Sequence, residues 1–154
     1  MRDCMIKVDN LRDGKVITLL LEHRKEMYEY SPPESIHALE ESELKEPAIT
    51  FWSAWQNEEI IGCGALKELS PEHAEIKSMR TAKAFLREGV ANMILTTMLA
   101  AGKKRDYRRI SLETGTNEAF QPAVRLYRKY GFEECGPFAE YKKDPYSLFM
   151  TREI

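Results

Sequence analysis

The sequence predicts a mixed α/β domain, and three observations carry that prediction. Val16, Leu19, Leu20, His23 and Met27 repeat at three and four residues, and the apolar Val90, Ile94, Leu95, Met98 and Leu99 do the same. Each set marks one stripe of a helix. Between them lie runs rich in β-branched and aromatic residues, "AITFWSAWQ" and "IIGCGALKEL", which suit a pleated, half-buried surface. The chain of 154 residues fits one domain, 1–154, and a fold of this size removes about 70% of its unfolded surface from water.

The elements follow in order. "CMIKV" is a short strand candidate, and the first helix runs roughly from Asp13 to Glu29. "YSPPES" ends it, because neither proline nor the residue before it continues a helix comfortably. "ESIHALEESELKEP" then reads as a short acidic second helix, with Glu34, Glu40, Glu41, Glu43 and Glu46. The next two strands form a hairpin around "NEE", and "AEIKSMRT" is a third strand after the turn "SPEH". A glycine-bearing turn, "FLREG", leads into the second apolar stripe; "RRISLET" is a strand, "QPAVRLYRKYG" a helix and "SLFMTREI" a closing strand. Pro122 suits the first turn of that late helix and Gly131 its C-terminal end. There is no internal repeat, low-complexity tract or visible domain boundary.

Composition narrows the function. Lys and Arg number 23 against 25 Asp and Glu, so nothing marks a nucleic-acid or anionic-membrane partner, and any anion site must be local. Cys4, Cys63 and Cys135 are odd in number and lack a C-x-x-C pair, which argues against a disulfide framework or a zinc site. The N-terminal stretch lacks the apolar segment of a signal peptide, and no run is long enough to span a bilayer. The expectation is a soluble, cytoplasmic protein that needs no metal. His23, His37 and His73 are isolated and read as surface or packing residues.

The turn before the second stripe admits two readings. Gly89 and Ala91 leave clearance at a helix start, where amides without intrahelical acceptors and a partial positive charge can hold a phosphate. Taken alone, the turn favours an ordinary loop, because a glycine before a helix is commonplace. Walker-type and dinucleotide-fold glycine patterns are both absent.

The joint pattern is more specific. "EIKSMRT", the turn "LREGVA" opening a helix, the strand "ISLET" and "LYRKYGF" on a later helix together resemble the GNAT superfamily of acetyl-coenzyme A-dependent N-acetyltransferases, in its small stand-alone bacterial form. The resemblance implies a mixed, mostly antiparallel twisted sheet of roughly six to seven strands flanked by about four helices. The family's turn reads Gln or Arg, two variable residues, Gly, one variable residue, then Gly or Ala. Gly89, Val90 and Ala91 match, whereas Leu86 replaces the polar residue and leaves Arg87 as the nearby cation.

What the resemblance implies can be placed residue by residue. Arg87, Glu88, Gly89, Val90, Ala91 and Asn92 would bind the pyrophosphate of acetyl-CoA, largely through backbone amides. Met79, Arg80 and Thr81 would border its pantetheine arm like an added strand. Tyr127, at the tyrosine position of "LYRKYGF", would protonate the departing thiolate, whose thiol pKa is ~8.5 as for cysteine. The alternative is a core tyrosine beside Leu126 and Tyr130. Phe120 stands where the family often has asparagine, seven residues earlier. Glu75 would serve as base, against the alternative of a solvent-facing glutamate, and Glu113 would bind the acceptor or replace Glu75. The implied reaction is direct acetyl transfer to a primary amine of a small molecule or peptide in a ternary complex. An inactive acyl-CoA sensor is the alternative, and a homodimer is a possible assembly.

Overall fold

Where apolar residues alternate or cluster, the chain forms strands; where they recur every three or four residues, it forms helices. The computed structural model describes residues 4–32 and 46–154. The predicted acidic second helix, with Glu34, His37, Glu40, Glu41 and Glu43, lies outside the described residues. The elements are β1 (Cys4–Asp9), α1 (Lys15–Tyr30), β2 (Ile49–Gln56), β3 (Glu59–Ser70), β4 (His73–Thr81), α2 (Val90–Lys104), β5 (Arg109–Gly115), α3 (Gln121–Lys129), β6 (Glu133–Cys135) and β7 (Ser147–Glu153). Seven strands form one sheet in the order β1-β2-β3-β4-β5-β7-β6. Every neighbouring pair is antiparallel except β4 and β5, which run parallel.

Two boundaries differ from expectation for physical reasons. The first helix begins at Lys15, not Asp13, because the Asp13 carboxylate accepts the Lys15 amide at 3.0 Å and Gly14 turns the chain at φ 76°. Residues 13 and 14 are therefore its cap and turn. The three-residue β6 has no apolar alternation, two of its residues being exposed, so only its pairing with β7 reveals it. Pro122 and Gly131 fall where predicted: proline lies in the first turn of α3, and Gly131, at φ 89°, takes the left-handed conformation after it.

The sheet separates two apolar layers. On one side Ile76, Ile110, Leu112 and Met150 pack with Ile94, Leu95 and Met98 of α2 and with Val124 and Tyr127 of α3. On the other, Val16 and Leu19 of α1 cover Ile49, Phe51, Cys63 and Ala65. Among the described residues, no helix is long and apolar enough to cross a membrane.

Close approach of α2 to the sheet depends on β3. A Cβ at Gly62 would lie 2.7 Å from Val90 Cγ1, 2.9 Å from Ile94 Cδ1 and 3.0 Å from the Arg80 carbonyl oxygen. Only glycine lets the first turn of α2 settle beside the end of β4. Gly62→Val is expected to destabilise the fold by about 1–3 kcal/mol, the usual range for overpacking, read as a lowered urea midpoint with unchanged slope. A midpoint equal to the parent's would show that α2 is not held this closely.

Candidate active site

The sheet opens in its middle. Parallel pairing of β4 with β5 joins His73 to Arg109 and ends where Ile76 meets Leu112. Both strands continue beyond that pair, β4 to Thr81 and β5 to Gly115, but they diverge. On its other edge β4 stays paired with β3 as far as Thr81, opposite Gly62. The backbone of Lys77 to Thr81 thus has a sheet neighbour on one side and a cleft on the other. The β3–β4 register slips between Cys63 and Ala65, and Ser78 adopts φ 57°. This bulge bends β4 at the cleft and changes the alternation of its side chains. Met79 packs against the α2 layer, near Gly64 and Ile94.

At the inner end of the cleft lies a polar cluster. Strand alternation places His73, Glu75 and Lys77 on one face of β4, while Ala74 and Ile76 enter the core on the other. Glu75 is only 3% exposed, so the solvent-facing alternative for this residue is not what forms. A buried carboxylate is costly unless hydrogen-bonded or paired. Here Glu75 Oε2 accepts the Tyr141 hydroxyl at 2.5 Å and Lys77 Nζ at 3.3 Å. Lys77 Nζ also donates to Tyr141 Oη at 2.7 Å, closing a three-membered network. Glu113, the first residue of β5 past the last parallel pair, acts electrostatically on Tyr141. Burial, the Glu75 charge and its hydrogen bond, and Glu113 all push the Tyr141 phenol upward, so this group stays protonated.

Tyr141 comes from the connection between β6 and β7, which folds back over this face. Its ring lies 5.2 Å from Phe138 and 5.5 Å from Phe149, and Phe138 also contacts His73 at 5.9 Å. Sequence reasoning missed Tyr141 and Lys77. The alternation of His73, Glu75 and Lys77 on β4 carried a signal for Lys77. Tyr141, in the aperiodic "AEYKKDPY", carried none.

Beside the cleft, the turn preceding α2 is exposed from Leu86 to Gly89. Arg87 and Gly89 both have positive φ, 65° and 85°, so the chain coils before entering the helix. Gly89 caps α2 with no side-chain hydrogen bond, and the first helical bond runs from the Met93 amide to the Gly89 carbonyl at 3.0 Å. The earlier amides are the helix's orphan donors. A Cβ at Gly89 would meet nothing within 4 Å, so the space before those donors is open. These residues fit an anionic diphosphate. The side chain of Asn92 is engaged elsewhere, since its Oδ1 accepts the Tyr130 hydroxyl and ties α2 to α3.

Tyr127 stands apart from the polar cluster. It is 6% exposed, lies in the α2–α3 layer and meets Phe132 edge-on at 5.8 Å. Its hydroxyl has no hydrogen-bond partner among the described residues, and burial pushes its pKa up. The structure therefore groups Glu75 with Glu113, lays Met79, Arg80 and Thr81 along the open edge of β4, and gathers Arg87 to Asn92 at the helix start. Tyr127 is left in the core beside them.

Comparison with known proteins matches the Acetyltransferase (GNAT) family over residues 17–132. This chain belongs to that family. As a GNAT protein it is an acyltransferase, and its relatives bear N-acetyltransferase names. It is 52% identical to the uncharacterized N-acetyltransferase YsnE of Bacillus subtilis (strain 168), over 97% of this chain and 99% of that protein. It is 47% identical to the uncharacterized N-acetyltransferase YedL of Escherichia coli (strain K12), over 95% and 92%. The same fold occurs in a GNAT acetyltransferase from Elizabethkingia anophelis, a structure with acetyl-CoA bound, at TM-score 0.72, 21% identity and full coverage of both chains (100% and 100%).

One further titratable group lies on the same face of β4 as Glu75 and Lys77. His73 Nε2 lies 2.7 Å from Ser111 Oγ, which lies 2.8 Å from Thr151 Oγ1, giving a polar row across β4, β5 and β7. Burial and then Arg109 lower the His73 pKa, and Glu75 partly opposes them. The unfolded chain then binds a proton more readily than the folded one, so this residue's contribution falls as pH drops through about 6.5, the unfolded value. Between pH 7.5 and 5, His73→Gln is expected to reduce the acid-side loss of unfolding free energy measured by urea titration. An unchanged slope would remove His73 as a contributor.

Proposed function

We propose that the chain is a single acetyltransferase domain, 1–154, that moves the acetyl group of acetyl-CoA to a primary amine by direct attack in a ternary complex. The observation that carries this reading is the divergence of β4 from β5 after Ile76 and Leu112, with a buried carboxylate at its inner end. The open edge of Met79, Arg80 and Thr81 supports backbone pairing with the amides of the pantetheine arm. The α2 N-terminus supports pyrophosphate binding by Gly89, Val90, Ala91 and Asn92 amides, with Arg87 and Glu88 on the exposed turn. This leaves the thioester near the cleft.

Charge supports a cationic acceptor. Glu75 and Glu113 bring two carboxylates to the inner end of the cleft, a chemistry that suits an alkylammonium. The acceptor sheds one proton to solvent on binding and a second, in our reading to Glu75, as its nitrogen attacks the carbonyl carbon. The C–S bond breaks and the thiolate takes a proton from Tyr127, which solvent then resets. Orientation of the two substrates supplies much of the rate.

Three linked measurements test this reading. Millimolar acetyl-CoA should raise the melting temperature, as any ligand specific for the folded state does. Gly89→Val should weaken acetyl-CoA binding at least ~10-fold while the protein still melts cooperatively, since the new side chain fills the space before the orphan amides and costs about 1–2 kcal/mol in left-handed strain. Glu75→Gln should lower the rate of thiol release with an amine by ~100-fold or more, the usual scale for losing a general base. Unchanged binding in the first variant, or an undiminished rate in the second, would contradict the corresponding assignment.

A further inference from the structure

Glu75 has a chemical problem as a base. Its side chain is 4% exposed, and the oxygen Oε2 is already held by Tyr141 and Lys77. Tyr141 is less deeply buried than Glu75, its hydroxyl donates to Glu75 Oε2 and accepts from Lys77, and a phenol oxygen can both donate and accept a proton. The ring is fixed on two sides by Phe138 and Phe149, so the hydroxyl is held in place rather than swinging.

We propose that Tyr141 is a catalytic residue that relays the acceptor proton to Glu75. This rests on the acetyl-transfer reading given above. As the neutral amine nitrogen bonds to the carbonyl carbon, one N–H bond breaks and its proton joins Tyr141 Oη. At the same time the Tyr141 O–H bond breaks and its proton joins Glu75 Oε2. The phenol ends neutral, as it began, and the carboxylate ends as a carboxylic acid that returns its proton to solvent. Lys77 donates to both oxygens and keeps them in register throughout. The upward push on the phenol pKa favours this role, since a tyrosine that never ionises in the resting enzyme always has a proton to pass on. A water molecule is then not needed between acceptor and base.

The test uses the full chain preloaded with acetyl-CoA and mixed with excess amine, following single-turnover thiol release. The amine is the fastest of phenethylamine, spermidine, L-lysine and a short peptide with a free N-terminus. Tyr141→Phe keeps the ring contacts and removes only the hydroxyl. It should lower the rate ~100-fold or more with acetyl-CoA affinity unchanged. The double variant with Glu75→Gln should be no slower than the slower single variant, within ~3-fold, because both break one proton path. Rates of the parent enzyme in mixed light and heavy water should follow a curved dependence on deuterium fraction, as two protons in flight require. A Tyr141→Phe rate within ~3-fold of the parent, additive losses in the double variant, or a linear deuterium dependence would each overturn the relay. Should Glu75→Gln leave the rate unchanged, the base itself is wrong. Loss on Glu75→Gln with no loss on Tyr141→Phe removes the relay and leaves the base standing.

Discussion

The structure depends above all on one local loss of pairing, the parting of β4 and β5 after the Ile76–Leu112 pair. Parallel strands deep in a sheet ordinarily pair along their length, because unpaired backbone groups inside a protein are costly. Here both strands run on without each other. Each is held instead on its outer side, β4 by β3 up to Thr81 and β5 by β7 up to Gly115. The bulge at Ser78 turns β4 away, and Gly62 and Gly64 allow α2 to pack against the sheet beside it. Cleft and helix start are therefore neighbours by construction, and the same glycines that permit the packing position the open amides of α2.

The inner end of the cleft shows how a buried carboxylate is tolerated. Glu75 has little contact with solvent, so its charge is balanced by Lys77 two residues on and by a hydroxyl brought from far along the chain. The connection between β6 and β7 has little regular structure of its own. It is seated by Phe138 and Tyr141, whose rings pack on Phe149. Breaking such a network by removing one partner usually costs more than the intact network contributes, so catalysis and local order are coupled at this point. In the proposed reading the coupling is useful, because the loop that closes the site also carries the group that contacts the acceptor.

Much of this was legible in the sequence. Val90, Ile94, Leu95, Met98 and Leu99 announced α2, and the β2–β3 hairpin followed from its aromatic and β-branched runs. Gly131 and Pro122 marked the limits of α3. The helix start at Gly89 gained meaning only in combination with "EIKSMRT" and "LYRKYGF", because one glycine before a helix has too many explanations. What stayed hidden was of two kinds. β6 has no pattern of its own and exists through its partner. The approach of Tyr141 to Glu75, across 66 positions of sequence, depends on how a loop folds over the sheet, and neither periodicity nor motif spacing encodes that. The core placement of Tyr127 illustrates the converse: a residue singled out by motif is also a well-packed member of the helix layer.

Amide hydrogen exchange of the folded protein, with and without saturating acetyl-CoA, tests the central claim most directly: that the parted strands and the α2 start together receive the coenzyme. The account predicts slowed exchange concentrated at residues 78–81, along the β4 edge of the cleft, and at residues 89–92, at the start of α2, with little change along β1 and β2. Protection confined to other elements, or none at saturating coenzyme, would contradict it.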